Sequence, residues 1–343
     1  MAKKLVFAGM FFFILLSVYA QSFSGSVFSS FSYKSVDKSF ESVMGMESLS
    51  SSYGTKLVFY SGDDAGKAYM RMGVFLSLQE DYKLVYSWEL YEAFVSVSAG
   101  DFLRFYAGRQ VLPLGVCYSI HPVDSIHRIS GDESVGRDGL SVRWAAGADY
   151  SGALMVLTDV VYGLSSNIIS GLGYAGYVDG FFMDSVEIGL SGIWLDSDDE
   201  RFGGWFSFPL GVFVFSSEFA WDKGEDAWCY MLSSEWDWYG EWSSLVLITE
   251  LFYQQDKLFT DYARYFSVIS HTDWTIWDRY VLEESLVWEA DSKSAIITIG
   301  LGFLPGNKTD CRVGFSLPVG KDGSFYGLWP YDFIADLKFT VSY

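Results

Sequence analysis

The last thirteen residues, YDFIADLKFTVSY, keep strict two-residue alternation to the end of the chain. Phe333, Ala335, Leu337, Phe339, Val341 and Tyr343 share one parity; Asp332, Asp336, Lys338, Thr340 and Ser342 share the other. Successive side chains of a strand point to opposite faces, so the pattern predicts a ribbon with one apolar and one polar face. Chain ends ordinarily lose order, and this one reads as a strand that something holds. A soluble antiparallel sandwich and a membrane barrel both place one face of each strand on apolar surroundings, so a single strand does not separate them.

The repetition of the pattern does. Met70, Met72, Val74, Leu76 and Leu78 form one such face; Trp228, Tyr230, Leu232, Trp236 and Trp238 another. Leu245, Leu247, Leu251 and Tyr253 follow, then Ala295, Ile297, Ile299, Leu301 and Phe303. Turn clusters such as SGDDAGK, WDKGEDAW, PGNKTDC and GKDGS separate the runs. Many runs are near ten residues, enough to cross the hydrocarbon layer as tilted strands and longer than the roughly five or six usual in soluble sheets. Tyr, Trp and Phe gather near the run ends, in WELYEAF, EWDWYGEW, TDWTIWDRY and YGLWPYDF, as in the aromatic girdles of a bilayer-spanning barrel.

The N-terminus begins MAKKLVFAGMFFFILLSVYAQSF: two lysines, an apolar run from Leu5 to Leu16, then small residues up to Ala20. This predicts a signal peptide over residues 1–20 and a barrel over 21–343. No second run of about 18 apolar residues follows, so helical spans are excluded. The expected fold is all-β, a transmembrane antiparallel up-and-down barrel. At roughly 20 residues per strand and connection, it has about 16 strands, with 14 as the alternative.

Beyond residue 20 the chain carries 21 basic against 43 acidic side chains, a net charge of about −22. From Ala145 to Glu200 there is no Lys or Arg, so nucleic acid is excluded as a partner. Cys117, Cys229 and Cys311 are too few for a disulfide framework and lack metal-site spacing. A Cys117–Cys311 pair between loops is one reading, and three free thiols the other. No cofactor or metal is expected.

In hydrocarbon every backbone polar group needs a partner, so a sheet must close on itself and the last strand must join the first. The first strand candidate is SFSGSVFSSFSYKS, Ser22 to Ser35. The terminal strand resembles the C-terminal assembly signature of bacterial outer-membrane proteins, with Tyr343, Val341, Phe339 and Leu337 at the matching positions. That resemblance implies outer-membrane lipid and the barrel-assembly machinery as partners.

From Trp88 the chain reads WELYEAFVSVSAGDFLRFYAGRQVLPLGVCYSIHPVD. The segment EAFVSVSAGDFLRFYAGRQVLPLG, with Pro122 and Asp124 in the loop beyond it, resembles a hairpin of porin-like outer-membrane barrels related to alginate-export and carbohydrate or anion porins. Leu114 stands where that pattern has Trp before Gly115. The resemblance covers under 40 residues; it implies the barrel class and leaves the solute open. Parity places Arg104 in the lumen and gives Arg109 the opposite facing, so either Gly108 carries a bulge or Arg109 snorkels at an interface.

Leu112 to Arg137 is the longest stretch without clean alternation. Folded inward, it makes Arg104, Gln110, His121, Asp124, His127, Arg128 and Arg137 candidates for a charged constriction. Lying outside, it is a surface loop. Ser119, His121, Asp124, Ser125 and His127 lack a GxSxG elbow, and three histidines without i, i+4 spacing make no zinc site, so enzyme chemistry is not expected. The expected function is an outer-membrane, porin-like channel for diffusion of small hydrophilic solutes. The alternatives are a structural or adhesive barrel with a plugged lumen, and a secreted soluble β-protein that binds sugars.

Overall fold

A computed structural model of the chain describes residues 22–342 apart from 37–48, 64, 79–83, 113, 119–120, 124–127, 131–132, 148, 164–165, 184, 196–198, 224–225, 260, 291, 307 and 322–330. The strands are β1 (Ser22–Val36), β2 (Leu49–Gly62), β3 (Gly66–Leu78), β4 (Leu84–Ala99), β5 (Leu103–Gln110), β6 (Arg128–Ser130), β7 (Glu133–Val135), β8 (Arg137–Ala146), β9 (Tyr150–Gly163) and β10 (Ser166–Phe182). There follow β11 (Val186–Leu195), β12 (Asp199–Leu210), β13 (Phe213–Asp222), β14 (Ala227–Tyr239), β15 (Ser243–Phe259), β16 (Asp261–Ile276), β17 (Tyr280–Glu289), β18 (Ser294–Gly306), β19 (Thr309–Val319) and β20 (Tyr331–Ser342).

All but β6 and β7 join one sheet of 18 strands, in which each strand pairs antiparallel with its chain neighbours and β20 returns to β1. The closing ladder sets Val27 opposite Val341, Ser29 opposite Phe339 and Phe31 opposite Leu337. The alternating end of the chain is therefore held on both edges, by β1 and by β19. Closure leaves the β20 ladder no bare edge for lipid to desolvate.

The count is 18 strands rather than about 16. The reason lies in the connections at one end of the barrel, which from Asp63–Ala65 to residues 307–308 all take only two or three residues. The chain thus spends fewer residues per strand than the roughly 20 assumed. The opposite end carries the longer connections, among them residues 111–136.

One parity faces out and is apolar: Val27 and Phe31 on β1, Leu140 on β8, Leu154 on β9, Leu301 on β18, Leu337 and Phe339 on β20 are all exposed. Phe102, Tyr150, Phe182, Tyr239, Trp242, Trp277 and Tyr280 form an exposed belt at the short-turn end, where ring faces suit the boundary between hydrocarbon and water. A register shift in the β3–β4 ladder leaves Tyr91 as an extra residue. Below this bulge Val95 and Val97 face out, and above it Leu84, Tyr86 and Trp88 do.

The three cysteines are free. Cys117 is buried inside the barrel against Met231 and Ile269. Cys311 belongs to β19, where it faces Phe303 and Phe339 across the ladders, so the loop surroundings expected for it are corrected. Its outward parity puts the barrel wall between the two thiols.

Candidate functional site

The segment after β5 turns into the lumen. Leu112, Leu114 and Val123 are buried in one cluster with Ala153, Met155 and Leu157 of β9, Ala175 of β10, Ile193 of β11 and Trp205 of β12. The inward parity of these apolar wall residues supplies the strip on which the loop lies. Burying such side chains contributes about 1.5–3 kcal/mol each.

Beyond that strip the loop is held by charge. Glu218 of β13 and Glu250 of β15 are both 0% exposed. Glu218 Oε1 accepts hydrogen bonds from the backbone N–H groups of Val116 (2.6 Å) and Cys117 (2.7 Å), and His121 Nδ1 lies 3.0 Å from it. Glu250 Oε1 accepts from the Tyr118 N–H at 2.7 Å. A buried carboxylate needs donors, and here the loop's own backbone supplies them to one oxygen of each, while Glu218 Oε2 is buried with no hydrogen-bond partner. Gly115 makes this approach possible: its φ is +91°, and a Cβ there would stand 2.4 Å from Glu218 Oε1.

Tyr118 ends the crossing by stacking on the His271 ring of β16, with centroids 5.2 Å apart. Strand β16 lies nine places from β5 in a ring of 18, on the opposite side of the barrel. Burial raises the pKa of the Cys117 thiol, and the charges of Glu218 and Glu250 raise it further. Tyr118 is raised by burial first, then by Asp273, Glu283, Glu250 and Glu235.

The two flanking walls differ in sign. Among the described residues, inward positions of β2 to β8 carry Lys56, Lys67, Arg71, Arg104, Arg137 and Arg143 against Glu89 and Glu92. Inward positions of β13 to β17 carry Glu218, Asp222, Glu235, Asp237, Glu250, Asp273, Glu283 and Glu289, with no cation among the described residues. The loop crosses from the first wall toward the second.

The residues singled out by sequence separate as follows. Arg104 faces the lumen and donates from Nε to Ser98 Oγ at 2.9 Å. Gln110 is wholly buried; its Oε1 accepts from Ser141 Oγ at 2.6 Å and Arg143 Nη2 at 3.2 Å. Arg137 stands opposite Gln110, at the last rung of the β5–β8 ladder. His121 is brought to Glu218, while Asp124, His127 and Tyr343 lie outside the described residues, as does the side chain of Arg128.

Of the two routes expected for Arg109, a bulge at Gly108 is not formed. Gly108 has a φ of +119°, yet the ladders on both sides stay in register, and the bulge lies in β4 instead. Arg109 keeps its outward parity and is neutralised by Asp138 directly opposite, with Nε–Oδ1 3.1 Å and Nη2–Oδ2 2.7 Å; Nη1 donates to Leu90 O. Glu218 and Glu250 escaped the sequence reading. Glu250 is the single acid of its run, LVLITELFY, while Glu218 shares the polar parity of FVFSSEFAWD with Asp222; an acid on the polar parity of an otherwise apolar β-run is the signal that marks them.

No protein-family model and no curated protein matches the sequence. Solved structures do match in fold. Acinetobacter baumannii OccAB1 superposes with a TM-score of 0.62 at 11% identity, over 95% of this chain and 97% of that one. Pseudomonas aeruginosa OccD3 (OpdP) gives 0.60 at 11% identity, over 95% and 92%. Escherichia coli Wzi, described as an outer membrane protein involved in group 1 capsule assembly and a carbohydrate binding β-barrel, gives 0.62 at 11% identity, over 95% and 85%.

Proposed function

We propose that this chain is a passive channel of the bacterial outer membrane, exported by a cleaved signal over residues 1–20, that passes small hydrophilic solutes beside the loop crossing its lumen. The fold it shares with barrels such as Wzi, described as an outer membrane protein, supports the location. The observation that carries the reading is the loop's attachment to Glu218 and Glu250, which narrows the lumen with a fixed element. A narrowing lined by opposed charge sorts solutes by size and field and needs no bond chemistry. The basic wall of β2 to β8 facing the acidic wall of β13 to β17 favours solutes that are neutral or carry both signs. His121, Arg104 and Arg137 contribute to that surface, and buried Gln110 positions Arg143 beneath it; outward Leu337, Phe339 and Val341, with Tyr343, serve recognition by the barrel-assembly machinery.

A second reading, a barrel plugged by the same loop and used for adhesion or structure, draws on the same crossing. Swelling of liposomes containing the refolded protein separates the two. The channel reading expects entry of neutral sugars to fall steeply with solute size. No swelling with any solute, from protein that migrates as a folded barrel, sinks it.

A further inference from the structure

The outward face of the barrel is not apolar throughout. Ser234 of β14, Thr249 of β15 and Ser270 of β16 stand on one rung of the two ladders that join these strands. Two residues nearer the short turns on β16, Thr272 stands opposite Glu284 of β17. All five share the parity of Leu232, Leu251, Trp274 and Leu282, which are exposed on the outer surface. A polar patch four strands wide therefore faces away from the lumen.

Aromatic rings fix the depth of this patch. On β14, Ser234 is four residues from exposed Tyr230 and four from exposed Trp238; on β17, Glu284 is four from exposed Tyr280 and four from exposed Trp288. A strand tilted by about 40° rises roughly 2.5 Å per residue, so both polar residues lie about 10 Å along the barrel axis from either ring. Rings of this kind mark the two edges of an apolar band about 25 Å tall. The patch sits at the middle of that band.

Lipid tails offer a carboxylate and four hydroxyls nothing to bond. Among the described residues, none of the five side chains has a hydrogen bond or ion pair, and Glu284 is exposed. The other charges on the outward parity between the rings, again among the described residues, are Arg109 and Asp138, which pair with each other. Unpartnered polar groups are costly in hydrocarbon, and a charge at mid-depth more so. Donors and an acceptor lie side by side here, since hydroxyls donate and the Glu284 oxygens accept. The patch is thus complementary to itself.

We propose that this patch is an interface with a second copy of the same chain, related by a two-fold axis along the membrane normal, in which hydroxyls of one copy donate to Glu284 of the other. A symmetric pair needs one self-complementary surface on each subunit, and the outer face of β14 to β17 supplies it. Polar side chains bonded across such a contact hold membrane-spanning segments together, because lipid cannot replace the partner. The pairing rests on the barrel lying in a bilayer and is independent of whether either lumen conducts.

The test is single-molecule photobleaching of the refolded protein, one dye per chain, at low density in phosphatidylcholine liposomes. Two bleaching steps are expected. The double variant Glu284→Leu, Thr272→Val should pair about tenfold more weakly, as loss of such bonds in a membrane implies, and bleach mainly in single steps while still migrating as a folded barrel. Glu284→Gln keeps an acceptor and should stay paired. So should Leu140→Ser, which alters the outward face of β8 on the far side of the ring. Single steps from the native protein, pairing unchanged in the double variant, or pairing lost in Leu140→Ser overturns the interface. Conductance is recorded on the same preparations: a paired but silent barrel refutes the channel alone, and a conducting barrel that bleaches in single steps refutes the interface alone.

Discussion

Glu218 has no exposed surface, and its charge is tolerated because one oxygen faces two backbone N–H groups and an imidazole. Charged hydrogen bonds of this kind contribute about 1.5–3 kcal/mol each, enough to hold a loop that otherwise crosses open water. Gly115→Ala puts a methyl group where the carboxylate sits and forces a left-handed residue, a strain of about 1–3 kcal/mol. It should detach the loop from Glu218, read as larger and noisier single-channel currents from a normally folded barrel. Cys117 reports the same event chemically. Burial and two neighbouring carboxylates raise its pKa, so it stays a thiol at pH 8 and resists alkylation by iodoacetamide. Glu218→Ala removes one of those charges and releases the loop, so mass spectrometry should find Cys117 modified many times faster; unchanged protection would show that the carboxylate does not hold it.

At the scale of the element, β20 shows what alternation can and cannot disclose. Its outward Leu337 and Phe339 and inward Asp336 and Lys338 were legible because lipid and lumen impose opposite demands on adjacent residues. Leu337→Arg should cost about 2–4 kcal/mol if that position is near mid-bilayer, lowering the urea midpoint of unfolding from vesicles, while Lys338→Leu changes it little. Equal effects would mean the two faces meet similar surroundings. The bulge at Tyr91 was not legible, since an extra residue leaves a local apolar pattern intact and reverses facing only relative to the neighbouring strand. The same holds for Arg109, whose partner Asp138 lies 29 positions away and meets it only through register. Strand number was misjudged because turn length, which no alternation encodes, sets the residues spent on each crossing.

For the whole molecule, closure through β1 and β20 creates the cylinder, and the loop held to Glu218 and Glu250 occupies part of its lumen. Its path was open in the sequence because an apolar segment such as Leu112–Leu114 can be buried inside or outside a barrel; the acids that decide are over 100 residues away. Segregated charge arises in the same way, from strands β2 to β8 and β13 to β17 brought face to face only when the ring closes. Single-channel recording of the native protein beside the Glu218→Ala, Glu250→Ala double variant, both refolded into planar bilayers, tests this account directly. Stepwise currents are predicted for both, with the variant several times more conductive and weaker in discriminating large ions. Silent membranes from folded protein, or identical conductance in the two, would contradict it.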